Sequence, residues 1–389
     1  MTEGSTGRSG GRDDGDCTLE EFLEAELDAR DGTAFVHAGP NRVPDLRYCV
    51  AAAAEGDSGS RWGQIDSPSG SLETDSLSRS KAADGLAIAI AFDGDRWSLE
   101  SGLPASAPAD RLAGELADRL EGETLLTPAR IPHDAALFLE RQGFSLASTD
   151  VLARARAKKA PTERERIATA QRAAAAGIRR AASALAEATV EDGWLRREET
   201  QLTRERLRIA IDEGIVSAGG YPAGNTVVES GTDAGELRPG EPIVLEVAPR
   251  EPTGYHGALA RTLVVDADGG RERRAHVAVT QALRSARAML TAGSESVTAV
   301  EADLEAEIRA FGEDGPIETR VSGLGLETAE RPLEGSDDVE PGTIVRLEAA
   351  TRLADGVWVR IADSIEKTAD GAAVLEAPSR SLEPTTVLE

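Results

Sequence analysis

Histidine and cysteine are the side chains best suited to hold a metal or start a nucleophilic attack, and this chain of 389 residues has only four of the first and two of the second. His37, His133, His256 and His276 are scattered, and no imidazole follows His276. Cys17 and Cys49 lack metal-ligand spacing and are too few for a disulfide framework, which points to a reducing interior. No Ser or Cys stands in a nucleophile elbow with a histidine near enough to activate it. Gly323-Leu324-Gly325 is a lone GxG without the strand, loop and helix that would cradle a phosphate. The stretch GYHGALARTLVV, residues 254–265, runs from a turn at Gly254 into a β-branched strand. It sets His256 two positions before Ala258, where strand side chains share a face.

The elements that would position these residues fall into two units. TLEEFLEAELDAR (18–30) has the spacing of an amphipathic helix, TAFVHAG and DLRYCVAAAA read as buried strands, and residues 52–82 as a Ser/Gly/Asp-rich loop. Leu86–Phe92 and Arg96–Leu99 form a hairpin about an Asp-Gly turn, and Asp134 caps a helix ending at Gly143. Strands alternating with helices over 18–155 predict an α/β domain. From Pro161, the positions Ile167, Ala170, Ala174, Ile178, Ala181 and Leu185 predict a long helix with a small-residue face, with Thr162 and Glu165 in capping-box spacing. The basic run Arg154 to Arg166 reads as a solvated linker and helix start. Further helices are expected at 203–215 and 274–290, and one opened by Thr298 and Glu301. Strands are expected at NTVVES, PIVLEVA and ARTLVVDA, and near 318–321, 344–347, 357–365 and 372–375. Helices and antiparallel strands in this order predict an α+β sandwich.

The formal net charge of −26 repels phosphate backbones, so nucleic acid is not an expected partner. A composition this acidic, with lysine only at 81, 158, 159 and 367, matches adaptation to concentrated salt, where the Debye length falls to a few Å. No run of about 18 apolar residues is present. Residues 1–16, MTEGSTGRSGGRDDGD, read as a disordered tail without a signal-peptide core. A cytoplasmic location and no membrane contact are therefore expected.

Four ordered phrases, LRPGEPIVLEVAPREPTGYHGALARTLVV, GLGLETAE, VEPGTIVRLEA and WVRIADSI, resemble peptidase family M24, and most closely its Xaa-Pro dipeptidase and aminopeptidase P branch. The resemblance is good over 150–376 and weak over 18–150. It implies an α+β pita-bread C-terminal domain (156–389) after a smaller creatinase-type α/β domain (17–155), and, by family habit, a homodimer. In that family two Asp, one His and two Glu hold two divalent ions, such as Mn or Co, that share an activated water. Carried over, Glu246 stands for the first Asp, Ala258 for the bridging Asp, Ser322 for the His, Glu348 for the first Glu and Ala362 for the bridging Glu. The second histidine of the glycine-rich turn falls on Ala329, and the loop that carries a catalytic histidine is shortened to SGTDAGEL.

The expectation is therefore a vestigial site with no catalytic residue, no metal and no cofactor. Four unneutralised carboxylates in a partly buried pocket would repel one another, so losing ligands together with the ions is physically coherent. Glu246 and Glu348 would be leftover polar groups of a pocket that also draws on His256, Arg261, Arg346 and Arg360. The expected role is binding of a peptide or protein partner, as in the ligand-less pita-bread domains of a histone-chaperone subunit and of proliferation-associated proteins. The rival is an active Xaa-Pro aminopeptidase or dipeptidase with a reduced or rearranged metal site. A creatinase-like, metal-independent reaction would need a histidine that is also missing.

Overall fold

This computed structural model describes residues 18–56, 85–231, 235–354 and 356–388. The sequence-stretch 1–16, read above as a tail, lies outside the described residues, as does most of the loop expected at 52–82.

The N-terminal unit is built on a five-stranded sheet in the order β3-β2-β1-β4-β5, formed by β1 (Ala34–Pro40), β2 (Ala87–Phe92), β3 (Trp97–Gly102), β4 (Thr124–Pro128) and β5 (Ser145–Thr149). Strands β1, β4 and β5 run parallel, and β2 lies antiparallel to both β1 and β3. Strand alternation sends Phe35, Ile88 and Ile90 to one face, beneath α1 (Leu19–Arg30), α2 (Pro44–Gly56) and α5 (Val151–Ala157). Val36, Ala89 and Leu125 point the other way, beneath α3 (Pro108–Arg119) and α4 (His133–Arg141). The segment DLRYCVAAAA, expected as a strand, is α2. Leu46, Cys49, Val50 and Ala53 are buried at helical spacing, and an alanine run has the highest helix propensity available. Asp134 lies inside the first turn of α4 rather than at its cap.

The C-terminal unit has a small sheet of β6 (Thr189–Glu191), β7 (Trp194–Arg197) and β8 (Thr200–Gln201), a pairing of β12 (Glu295–Ser296) with β14 (Asp338–Val339), and a seven-stranded sheet in the order β13-β15-β16-β11-β10-β9, with β17 added to β16. The strands of this large sheet are β9 (Val227–Ser230), β10 (Ile243–Val247), β11 (Leu259–Leu263), β13 (Ile317–Gly323), β15 (Ile344–Ala354), β16 (Val357–Thr368) and β17 (Gly371–Val374), all antiparallel. Two helix pairs cover one face. Pair α6 (Pro161–Ala186) and α7 (Arg204–Ser217) packs on Ile243, Leu245, Val247, Leu259 and Leu263. Pair α8 (Arg271–Ala292) and α9 (Val297–Ala310) packs on Val321, Val345, Leu347, Ala349, Val359 and Ile361. In β10, β11, β13, β15 and β16 the odd-numbered positions thus face helices and the even-numbered ones face the opposite, concave side.

Close approach explains the small-residue face of α6. A Cβ on Gly177 would lie 2.9 Å from Ile215, and one on Gly214 would lie 3.0 Å from the Ala176 carbonyl, so these two glycines let α6 and α7 touch through their backbones. Two caps differ from expectation. Glu163, not Thr162 with Glu165, closes the start of α6 by accepting from the Ala160 amide (2.9 Å), because Pro161 already occupies the first helical position. In α9 the cap is Ser296, which accepts from Ala299 (3.2 Å), two residues ahead of the expected Thr298.

Candidate functional site

The even-numbered residues of four neighbouring strands form rows across the concave face. Register pairs Glu246 with Ala260, Ala260 with Ala362, and Ala362 with Glu348, so one row carries all four side chains on one side. In the adjacent row Ser322 pairs with Arg346 and Arg346 with Ser364, whose hydroxyl donates to the Ala258 carbonyl at 2.9 Å. The five positions singled out from the sequence, Glu246, Ala258, Ser322, Glu348 and Ala362, therefore meet on one surface. Ala258 and Ala362 are fully buried, and Ser322 nearly so.

The charges on that surface are matched internally. One guanidinium nitrogen of Arg346, Nη2, lies 2.6 Å from a carboxylate oxygen of Glu246 and 2.6 Å from one of Glu348. Arg360 binds the other oxygen of Glu348 and reaches Glu318 at 2.6 Å on the open rim. Burial works against the Arg360 charge, but Glu348 and Glu318 outweigh it and hold the guanidinium above its ordinary pKa. Glu246 is the more open end, at 29% side-chain exposure against 8% for Glu348, so the cluster has a buried end and an accessible one.

Two of the four candidate pocket residues belong elsewhere. Arg261 sits on the helix side of β11, buried against Asp363 (2.7 Å), which Arg380 also binds; its guanidinium donates to the Ala362 and Pro378 carbonyls. His256 is fixed in the turn before β11, with ring Nδ1 3.1 Å from the Ala248 carbonyl and its amide donating to Gly325. Burial holds its pKa below the ordinary value. Ala258 is held from α6: Gln171 accepts from the Ala258 amide at 2.9 Å and donates to the Glu376 carbonyl at 3.1 Å.

A second charged cluster lies where the two units meet. Arg156, read as part of a solvated linker, is buried among Asp45 of α2 (2.5 Å), Glu327 (2.9 Å) and Glu330, and Glu330 also binds Lys159. Lys159 is almost fully buried. Its partner lies 171 positions away, so nothing in the local run of basic residues could have revealed the burial. Burial would raise the Glu330 pKa, but Lys159 and Arg156 override it and hold the carboxylate below its ordinary range. The neighbouring Glu163, which accepts from the Tyr255 hydroxyl at 2.9 Å, is pushed up by burial.

The model of metallopeptidase family M24 matches residues 165–369, more than half of the chain. The chain belongs to family M24. Its C-terminal unit is the pita-bread domain of that family, and the whole chain has the two-domain layout of the prolidases. The Pyrococcus horikoshii prolidase superposes with a TM-score of 0.67 over 94% of this chain and 99% of its own, at 17% identity. The Bacillus anthracis Xaa-Pro dipeptidase gives 0.69 over 94% and 98%, at 14% identity. The N-terminal domain of the FACT complex subunit SPT16 from chickpea (Cicer arietinum) gives 0.62 over 94% and 97%, at 15% identity. No curated protein matches the sequence. At these identities the structural likeness speaks for the fold, and the M24 membership rests on the family model.

Proposed function

We propose that this M24 chain is a non-catalytic member of its family that binds a peptide or protein through the concave face of the pita-bread domain. The observation that carries the reading is the Arg346 guanidinium lodged between Glu246 and Glu348. Tested against the family's pair of divalent ions, the residues do not fit. Three of the five positions, Ala258, Ser322 and Ala362, bear no carboxylate or imidazole, and the remaining two carboxylates are already neutralised by arginine. Among the described residues no group of three or more His, Cys, Asp or Glu side chains is arranged to hold a metal ion. The fold is shared by prolidases and by a domain of a FACT complex subunit, so the fold by itself does not imply peptidase activity.

The experiment is metal analysis of the full chain together with hydrolysis of an Xaa-Pro dipeptide in added Mn²⁺ or Co²⁺. Neither stoichiometric metal nor turnover is expected; steady turnover by a preparation free of contaminating peptidase would establish the rival reading, an Xaa-Pro peptidase with a rearranged site. Among the described residues no helix is long and apolar enough to cross a membrane. A cytoplasmic homodimer adapted to concentrated salt is part of the proposal, and light scattering across a KCl series checks the oligomeric state.

A further inference from the structure

We infer that Arg346 is a built-in counter-ion that occupies the cation position of this face and keeps divalent metal out, and that removing it opens a Mn²⁺-type site made by Glu246 and Glu348. The inference rests on the non-catalytic reading above and adds the residue responsible. Both carboxylates contact the same nitrogen, so their nearest oxygens lie within about 5 Å of each other. A small divalent ion bound at about 2.1 Å from each oxygen needs them only slightly closer. The surrounding residues are small: Ala258, Ala260 and Ala362 are fully buried, and Ser364 lies in the Arg346 row. Deleting the guanidinium therefore leaves room for an ion and its waters rather than a collapsed core.

The grip on Arg346 is electrostatic. Its Nε has no hydrogen-bond partner, and Nη2 is the atom both carboxylates hold, so the arginine is held here as a charge. Arg360 supplies a second positive charge to Glu348, so the two inner carboxylates are balanced by two guanidiniums without any bound ion, and Glu318 lies outside them on the rim. A divalent cation arriving at the native face must displace one guanidinium and meet the other. An oxygen-only donor set of this kind suits Mn²⁺ or Mg²⁺ over softer ions.

The test measures Mn²⁺ uptake by chelator-treated full chain, as free Mn²⁺ by electron paramagnetic resonance. The native chain takes up no stoichiometric Mn²⁺. Arg346→Met binds it at least tenfold more tightly, and the gain disappears when Glu246→Gln and Glu348→Gln are added. Native uptake that Glu348→Gln abolishes would overturn the inference, as would an Arg346→Met protein that melts cooperatively yet binds no more Mn²⁺ than the native chain. If Arg346→Met does not fold alone, recovery of a cooperative melt on refolding with Mn²⁺ supports the inference and no recovery overturns it. Failure here with an inactive native chain removes only this inference, whereas dipeptide turnover by the native chain removes the reading beneath it.

Discussion

His37 is buried in β1 with its Nε2 unpartnered, and burial lowers its pKa from 6.5 to about 4, the Asp45 charge offsetting part of the effect. A folded pKa below the unfolded one means that the unfolded chain binds the proton first. The contribution is whole above about pH 6.5 and is lost as pH falls towards about 4, at most about 3 kcal/mol. His37→Leu should flatten that part of the profile: its urea midpoint relative to the native chain should rise between pH 7 and pH 4.5. At the same scale, the roles of the arginines could be partly read from the sequence. The sequence groups Arg346 and Arg360 with Arg261 in one pocket with Glu246 and Glu348, and strand parity separates them. Arg261 is three positions from Ala258, so it must point to the opposite face, where it meets Asp363.

Among the elements, a tight constraint lies where α6 passes under the turn that feeds β11. A Cβ on Gly257 would sit 2.5 Å from the backbone nitrogen of Gln171, so Gly257→Ala must push the helix away from the strand and strain the Gln171 bond to Ala258. The expected cost is about 3 kcal/mol, at the upper end for overpacking, read as a lower urea midpoint with an unchanged m value. The strands of the sheet were legible because β-branched residues at period two face helices on one side only. Helix α2 was not, because Tyr48-Cys49-Val50 followed by four alanines shows no polar alternation and the buried stripe emerges only once Phe35 and Ile88 lie beneath it. The caps of α6 and α9 each stand two residues before the Thr of a Thr-x-x-Glu pattern, Ala160 before Thr162 and Ser296 before Thr298, because Pro161 and Ser296 start their helices ahead of it. The five positions on the concave face are legible only through the resemblance of their phrases to the family, since no local periodicity brings residues 246 and 348 together.

Across the whole molecule, Arg156 joins Asp45 of the N-terminal unit to Glu327 and Glu330 of the pita-bread domain. Removing one member of a buried ion network leaves its partners uncompensated, so Arg156→Met should cost about 3–5 kcal/mol. Calorimetry should then show the N-terminal unit melting ahead of the C-terminal one. Because the Glu330 carboxylate is held below its ordinary pKa, its contribution is complete above the unfolded value and is lost as pH falls through the folded one, so the clamp weakens in acid. Within the large sheet, the halves β10–β11 and β15–β16 share a single backbone rung, Ala260 opposite Ala362. On either side of it, side chains do the joining: Ser364 to the Ala258 carbonyl, Thr262 to Arg360, Arg261 to the Ala362 carbonyl. A seam sewn by side chains sets its angle through residue identity, so exchanging Thr262 or Ser364 should alter the width of the opening over the concave surface, while Arg261, tied to buried Asp363, keeps the two halves together.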